Sequence, residues 1–269
     1  MNDSVITLAY SPCPNDTFMF NAIANGSLTL PGFEMQVHLH DIETLNERAA
    51  QAQYDFTKLS IHACLNLREH YHTLNAGAAL GFGCGPVVVV RQDRAFKDLS
   101  ACSVAIPGEL TTAHLLFRLW SPAADNRIFM PFDQIMRAVA SGEVDVGVVI
   151  HEGRFTFGEH GLKSLVDLGE WWQAETDLPL PLGCIAARKS LGATTIKAFD
   201  DLLKSSIELA TADPEATYAY VRKHAQELEM DVLEKHITTF VNDFSIDMGD
   251  QGRKAIQTLE ERALKAGIL

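Results

Sequence analysis

Short apolar runs alternate with amphipathic helical patterns along this chain as far as residue 193. Strand-like runs at residues 5–10, 33–39 and 55–61 are each followed by helical spacing of apolar residues. Regular alternation of this kind is typical of α/β proteins and predicts a largely parallel sheet. After residue 193 the strand patterns stop, and residues 196–212, 214–228, 232–241 and 251–266 all have helical spacing.

The alternation occurs as two series, and this predicts two lobes. The first series ends with strand candidates at residues 74–80 and 86–91 around a glycine-rich turn, and the second begins at residues 102–106. A strand at residues 182–187 can lead the chain back. We therefore predict a first, larger lobe of residues 1–90 and 188–269 and a second lobe of residues 91–187 inserted into it, with the C-terminal helices completing the first lobe.

Ligands of open α/β sheets bind beyond the carboxyl ends of the strands. The loops after Tyr10, Ile61, Ile106 and Ile150 should therefore converge on one crevice between the lobes.

The net charge of −13 leaves no global basic field that could hold nucleic acid or an anionic membrane surface. No stretch approaches the roughly 20 apolar residues of a membrane-spanning helix, and the N-terminus does not resemble an export signal. The five cysteines are odd in number and never occur as Cys-x-x-Cys, which favours reduced thiols. These features predict a cytoplasmic protein, with no nucleic-acid partner and no membrane insertion; they leave protein partners and oligomeric state undetermined. A small acidic ligand stays possible, because backbone N–H groups at helix N-termini can bind anions.

His151 follows the apolar run at residues 146–150, which is typical of a buried parallel strand. This places the imidazole at the carboxyl end of the strand, where it can act as a general base near neutral pH. A hydrogen-bonded structural histidine would give the same pattern. Zinc binding through His-Glu-x-x-His is disfavoured because position 155 is Phe155.

Three hydroxyl residues and one stiff loop are further candidates for the crevice. Thr111 and Thr112 open a helix after a proline-glycine turn and could bind an anion, although simple capping is the alternative; Ser60 ends a strand of the first lobe and could equally be a surface serine. Two prolines stiffen residues 11–17, where Asn15 or Asp16 is expected to cap the next helix and to line a preformed wall of the site.

Four segments together resemble the 1,4-dihydroxy-6-naphthoate synthase family of the futalosine route to menaquinone. They are Ser-Pro-Cys-Pro-Asn-Asp-Thr-Phe at 11–18, Pro-Gly-x-x-Thr-Thr-Ala at 107–113, Ile-His-Glu-Gly-Arg-Phe at 150–155 and Val-Asn-Asp-Phe-Ser at 241–245. The resemblance implies a type II periplasmic-binding-protein fold used as an enzyme. It also implies a carbon-carbon lyase that needs neither a metal nor an organic cofactor and releases 1,4-dihydroxy-6-naphthoate from cyclic dehypoxanthinyl futalosine.

By the same resemblance His151 is the general base, and Ser60, Thr111 and Thr112 hold the substrate, with Asn15 and Asp16 expected to contribute. The match around Ser60 is looser, since Leu59 and Ile61 differ from the expected apolar residues. Two other functions share the fold class. A solute-binding protein would need no base and would normally carry an export signal or lipid anchor, while a chorismate dehydratase would not share the first loop or the Ile-His-Glu-Gly motif.

Overall fold

A computed structural model describes residues 4–95, 98–225 and 229–269, and it contains two sheets flanked by helices. The strands are β1 (Ser4–Tyr10), β2 (Phe33–Leu39), β3 (Phe56–Ser60), β4 (Tyr71–Thr73), β5 (Ala79–Gly81), β6 (Val87–Arg91), β7 (Val104–Ile106), β8 (Arg127–Phe129), β9 (Val146–Val149), β10 (Leu162–Asp167) and β11 (Leu180–Arg188). The helices are α1 (Pro14–Ala24), α2 (Ile42–Ala50), α3 (Ile61–Asn66), α4 (Thr112–Trp120), α5 (Phe132–Ser141), α6 (Gly153–Thr156), α7 (Leu168–Thr176), α8 (Ala193–Ala212), α9 (Glu215–His224), α10 (Met230–Phe240), α11 (Asp243–Ile246) and α12 (Gly249–Lys265).

Each lobe is built on one of the two sheets. The first sheet has the order β2-β1-β3-β11-β4, with β5 also paired to β11, and the second has the order β10-β6-β9-β7-β8. The chain leaves the first sheet after β5, builds the whole second sheet and returns through β11. The second lobe is thus inserted into the first, as the sequence predicts, and α8 packs with α1 on the first lobe.

The prediction of largely parallel sheets is wrong. Strands β1, β2 and β3 are parallel, but β11 runs antiparallel to β3, β4 and β5. In the second sheet β6 is antiparallel to both β9 and β10, while β7 is parallel to β8 and β9. The reason is that β6 and β11 are the strands that connect the lobes, so they enter their sheets from the neighbouring lobe and not through a crossover helix.

The same two strands bear on the lobe boundaries. Strand β6 belongs to the second sheet although residues 87–90 were assigned to the first lobe, and β11 belongs to the first sheet although residues 180–187 were assigned to the second. Sheet membership therefore places the two crossings before Val87 and before Leu180. The division of the chain into lobes otherwise stays a prediction.

Several local predictions need correction. Of the strand predicted at residues 74–80, only residues 79–80 belong to a strand, β5, and the elements β4, β10 and α7 were not predicted. Helix α9 ends at His224; the last residues of the predicted helix, 226–228, lie outside the described part of the chain.

The first turn of α1 also differs from the prediction. The helix begins at Pro14 with Cys13 as its N-cap, so Asn15 and Asp16 lie inside the first turn and cap nothing. Proline is well suited to the first helical position, because its missing N–H has no partner there. Instead of capping the helix, the side chains of Asn15 and Asp16 line the cleft between the lobes.

Candidate active site

The loops that were expected to converge do so. A cleft of about 680 Å³, including its solvent-open part, lies between the lobes. The predicted site residues that line it are Asn15, Asp16, Ser60, Thr111, Thr112 and His151. Lys58, Arg154 and His236 line the same cleft and were not predicted.

His151 lies two residues after the end of β9 and adopts a left-handed backbone conformation, with φ 55°. A non-glycine residue in this region carries a cost of roughly 1–2 kcal/mol, and such residues are concentrated at functional sites. Its ring forms a T-shaped contact with that of Phe132, at 4.9 Å between centroids. Burial lowers the pKa of His151, although the carboxylates of Glu152 and Asp16 act in the opposite direction. The imidazole is therefore neutral and able to accept a proton at pH 7.

Cys13 lies against this imidazole from the other lobe. Its sulfur is 3.5 Å from Nδ1 of His151 and 3.9 Å from Nε2. Burial raises the pKa of the Cys13 thiol, and the carboxylate of Asp16 acts in the same direction. The raised pKa favours a protonated thiol beside the histidine over a thiolate.

A buried ion pair supports the floor of the cleft. Nζ of Lys58 donates to Oδ1 of Asp16 at 2.7 Å, and both side chains are almost inaccessible to solvent. Asp16 also accepts from the backbone N–H and hydroxyl of Ser11 and from the amide of Asn15. With these four donors Asp16 is fully engaged. Asp16 and Asn15 therefore hold neighbouring side chains in position, and their direct contact with a ligand stays a prediction.

His236 contributes a second imidazole to the cleft from α10. Its ring stacks with that of His151 at 6.4 Å between centroids and 18° between planes, and its Nε2 lies 3.0 Å from Oδ1 of Asn15. Burial lowers the pKa of His236 well below its ordinary value, and His151 and Lys58 act in the same direction. Its sequence setting, on the apolar face of a helix, is the setting of an ordinary core residue.

The three hydroxyl residues differ in what they can still offer a ligand. The hydroxyl of Thr111 donates to the carbonyl of Gly108 and accepts from the N–H of His114, so it serves as the N-cap of α4. The hydroxyl of Thr112 donates to the carbonyl of Leu182. Both threonine protons are therefore already used.

Ser60 keeps its proton available. Its Oγ accepts from Nδ2 of Asn46 at 3.1 Å, and its backbone N–H donates to Oδ1 of the same residue. No acceptor for the Ser60 hydroxyl proton occurs within residues 4–95, 98–225 and 229–269. The first-turn N–H groups of α4 also lack intrahelical acceptors, as at any helix N-terminus. An anion can thus be met by the Ser60 hydroxyl and the start of α4.

Hydrogen bonds cross between the lobes around this site. The N–H of His62 donates to Oγ1 of Thr112 at 3.3 Å, and the N–H of Leu110 donates to Oε1 of Glu43 at 3.1 Å. Burial raises the pKa of Glu43, and the hydrogen bond from Leu110 acts against this. These contacts join the two lobes beside the cleft.

Two features are not found among the described residues. None of the described helices has the combined length and apolar character that a membrane crossing requires. The described residues also contain no group of three or more His, Cys, Asp or Glu side chains arranged to hold a metal ion. Independence from metals and organic cofactors stays a prediction.

Two lobes of mixed α/β structure with a ligand-sized cleft between them define a periplasmic-binding-protein-like fold. Solved structures resemble this chain in their fold. The periplasmic aliphatic sulphonate binding protein SsuA from Escherichia coli has a TM-score of 0.69 at 10% identity, covering 100% of this chain and 89% of that chain. A crystal structure of an Archaeoglobus fulgidus protein has a TM-score of 0.93 at 35% identity, covering 100% of both chains.

The chain belongs to the menaquinone biosynthesis family, whose model matches residues 6–265. Its relatives include the 1,4-dihydroxy-6-naphtoate synthase of Streptomyces coelicolor, 43% identical over 100% of this chain and 96% of that protein. The enzyme of the same name from Thermus thermophilus is 42% identical over 98% of this chain and 95% of its own length. The protein is therefore an enzyme of a biosynthetic family.

Proposed function

We propose that the protein is a 1,4-dihydroxy-6-naphthoate synthase that acts on cyclic dehypoxanthinyl futalosine with His151 as the general base. The observation that carries the proposal is the placement of a neutral imidazole in the cleft, in a chain whose relatives bear this name. A solute-binding protein of the same fold would have no use for such a base.

The reaction we propose begins when His151 takes a proton from the bound substrate. The sugar-derived portion then leaves and the fused ring becomes aromatic, which supplies driving force without a redox step. The enzyme would thus be a cofactor-independent carbon-carbon lyase working in the cytoplasm. Closure of the lobes would exclude water and fix the base against the proton it removes.

The carboxylate of the substrate would be held by the Ser60 hydroxyl and the first N–H groups of α4. Thr111 and Thr112 contribute by shaping that helix start, since their own hydroxyl protons are directed to Gly108 and Leu182. Such backbone and hydroxyl donors bind an anion even in a chain of net charge −13, because the remote charges are screened.

The test is a direct assay of the purified protein on three ligands. Incubation with cyclic dehypoxanthinyl futalosine should yield 1,4-dihydroxy-6-naphthoate by mass spectrometry, while chorismate should be left unchanged. Dehydration of chorismate without turnover of the cyclic compound would identify a chorismate dehydratase. Tight binding of an organic acid with turnover of neither compound would identify a solute-binding protein.

A further inference from the structure

His236 has one ring nitrogen that none of the described residues contacts through a hydrogen bond. The residue is only 1% exposed and lines the cleft, yet its Nδ1 is buried without a hydrogen-bond partner among the described residues. A buried polar atom left unpaired costs roughly 1–3 kcal/mol, so an unused acceptor on a residue that lines a ligand cleft calls for an explanation.

The hydrogen bonds around His236 fix which of its nitrogens carries the proton. The carboxylate of Asp16 receives the Lys58 ammonium at 2.7 Å and the Asn15 side chain at 2.8 Å, so Asn15 must turn its NH₂ group toward Asp16. Its carbonyl oxygen then faces His236 and can only accept. Nε2 of His236 is therefore the donor in the 3.0 Å contact. In a neutral imidazole this leaves Nδ1 as a bare lone pair.

We propose that Nδ1 of His236 binds substrate by accepting a hydrogen bond from a hydroxyl of the sugar-derived portion. This inference rests on the proposed function and deepens it. A lone pair repels a carboxylate and attracts an O–H donor, so this nitrogen selects the part of the substrate that carries hydroxyls. The rings of His236 and His151 lie 6.4 Å apart, which places the hydroxyl-bearing portion beside the base. The carboxylate then extends toward Ser60 and the start of α4.

A purely structural role for His236 would depend on the other ring nitrogen. In that case the useful atom is Nε2, which holds Asn15 in place, and Nδ1 is irrelevant. The two roles use different nitrogens, so side chains that replace one nitrogen at a time can separate them.

A matched pair of substitutions provides this separation. His236→Gln extends an amide toward the Nε2 position, where it can still donate to Asn15, but it leaves no acceptor at the Nδ1 position. His236→Asn carries its amide oxygen near the Nδ1 position and cannot reach Asn15. We expect kcat/KM for the cyclic substrate to fall by about 5- to 100-fold in His236→Gln and by clearly less in His236→Asn.

Affinity for the product adds a second readout. The product lacks the sugar-derived portion, so calorimetry should give a Kd for 1,4-dihydroxy-6-naphthoate in His236→Gln within about threefold of the parent value. A loss in His236→Asn equal to or greater than that in His236→Gln would overturn the proposal, and so would a loss of product affinity that matches the loss in kcat/KM.

A measurement on the natural side chain covers the case in which the variants fold poorly. In ¹⁵N-histidine NMR, the Nδ1 resonance of His236 should lie in the range of an unprotonated nitrogen and should move when the cyclic substrate binds to the slow His151→Asn variant. It should not move with product. An unmoved resonance under saturating substrate would refute the role. If the parent enzyme produces no 1,4-dihydroxy-6-naphthoate, the proposed function itself fails; if it does and these tests fail, only the role of His236 is lost.

Discussion

The sulfur of Cys13 lies 3.5 Å from Nδ1 of His151, and the two residues belong to different lobes. A cysteine beside a histidine is a combination that many enzymes use as nucleophile and base. Here burial raises the pKa of the thiol, with Asp16 acting in the same direction, so the sulfur stays protonated.

Replacing Cys13 by Ser or Ala should therefore leave turnover within about tenfold of the parent value, because no thiolate takes part in the reaction. Steady-state kinetics on both variants would check this. A loss of more than about 10³-fold in both, with folding intact, would instead indicate covalent catalysis by the sulfur.

Replacing His151 by Asn should lower kcat by about 10²- to 10⁴-fold, the usual contribution of one general base. Folding should survive, because asparagine tolerates the left-handed conformation that His151 adopts. Replacement of the exposed His160 by Asn serves as the matched control and should leave kcat unchanged. A His151→Asn variant that folds, binds product and retains more than about a tenth of parental turnover is incompatible with the base assignment.

The pH profile of kcat gives a second test of the same residue. Since burial lowers the pKa of His151, the acidic limb of the profile, where the imidazole is protonated and turnover falls, should lie below the ordinary histidine value of about 6.5. The acidic limb should be missing from the residual activity of His151→Asn. Persistence of the limb in that variant would assign it to another group.

Ser60 and Thr111 should respond differently to truncation. Ser60→Ala should weaken product binding by about 1.5–3 kcal/mol, as for a lost hydrogen bond to a charged group. Thr111→Ala removes a helix cap, so it should mainly lower the free energy of unfolding, by about 0.5–2 kcal/mol. Calorimetry and urea unfolding would measure the two effects, with alanine at the exposed Ser164 as control. Unchanged product affinity in Ser60→Ala would remove this hydroxyl from the anion site.

Stability should fall as the pH is lowered from 7 to 5, because the unfolded chain gains protons on histidines that stay buried and neutral in the folded protein. Burial lowers the pKa of both His62 and His114 to about 4, below the unfolded value of about 6.5. In this window the unfolded chain binds more protons, so each residue should cost on the order of 1–2 kcal/mol at pH 5.

His114→Asn tests this dependence on pH. Asparagine can keep the donation to the carbonyl of Glu109, which His114 makes at 2.8 Å through Nδ1, but it does not titrate. The difference in unfolding free energy between pH 7 and pH 5 should shrink by on the order of 1–2 kcal/mol in this variant and stay unchanged in His160→Asn. An equal pH dependence in parent and His114→Asn would exclude His114 as a contributor.

Sequence patterns predicted the site where it depends on strand ends. The loops after β1, β3, β7 and β9 meet in the cleft. They could be located from the sequence because apolar runs mark where strands stop, and His151 was found in this way. The direction of a strand relative to its neighbours cannot be recognised in the same way, because a buried strand such as β11 is equally apolar in a parallel and in an antiparallel pairing. The antiparallel pairings were therefore missed.

Lys58 and His236 were missed for a related reason. Lys58 lies in β3, where all five residues are buried, and His236 lies among buried residues of α10. Each has the local pattern of a core position, and only the packing of distant elements shows that a cleft passes beside it. Their partners, Asp16 and Asn15, were selected from the sequence as cleft residues, but with the roles of helix cap and ligand contact.

The left-handed backbone at His151 has a consequence for protein engineering. Glycine, asparagine and aspartate can occupy such a position at low cost, whereas β-branched side chains are strongly disfavoured there. In a saturation library at position 151, the valine and isoleucine variants should misfold, so their activity could not be measured. Selection for new reactions in this cleft would therefore explore few side chains at position 151, and a broader range would first require a change in the turn that follows β9.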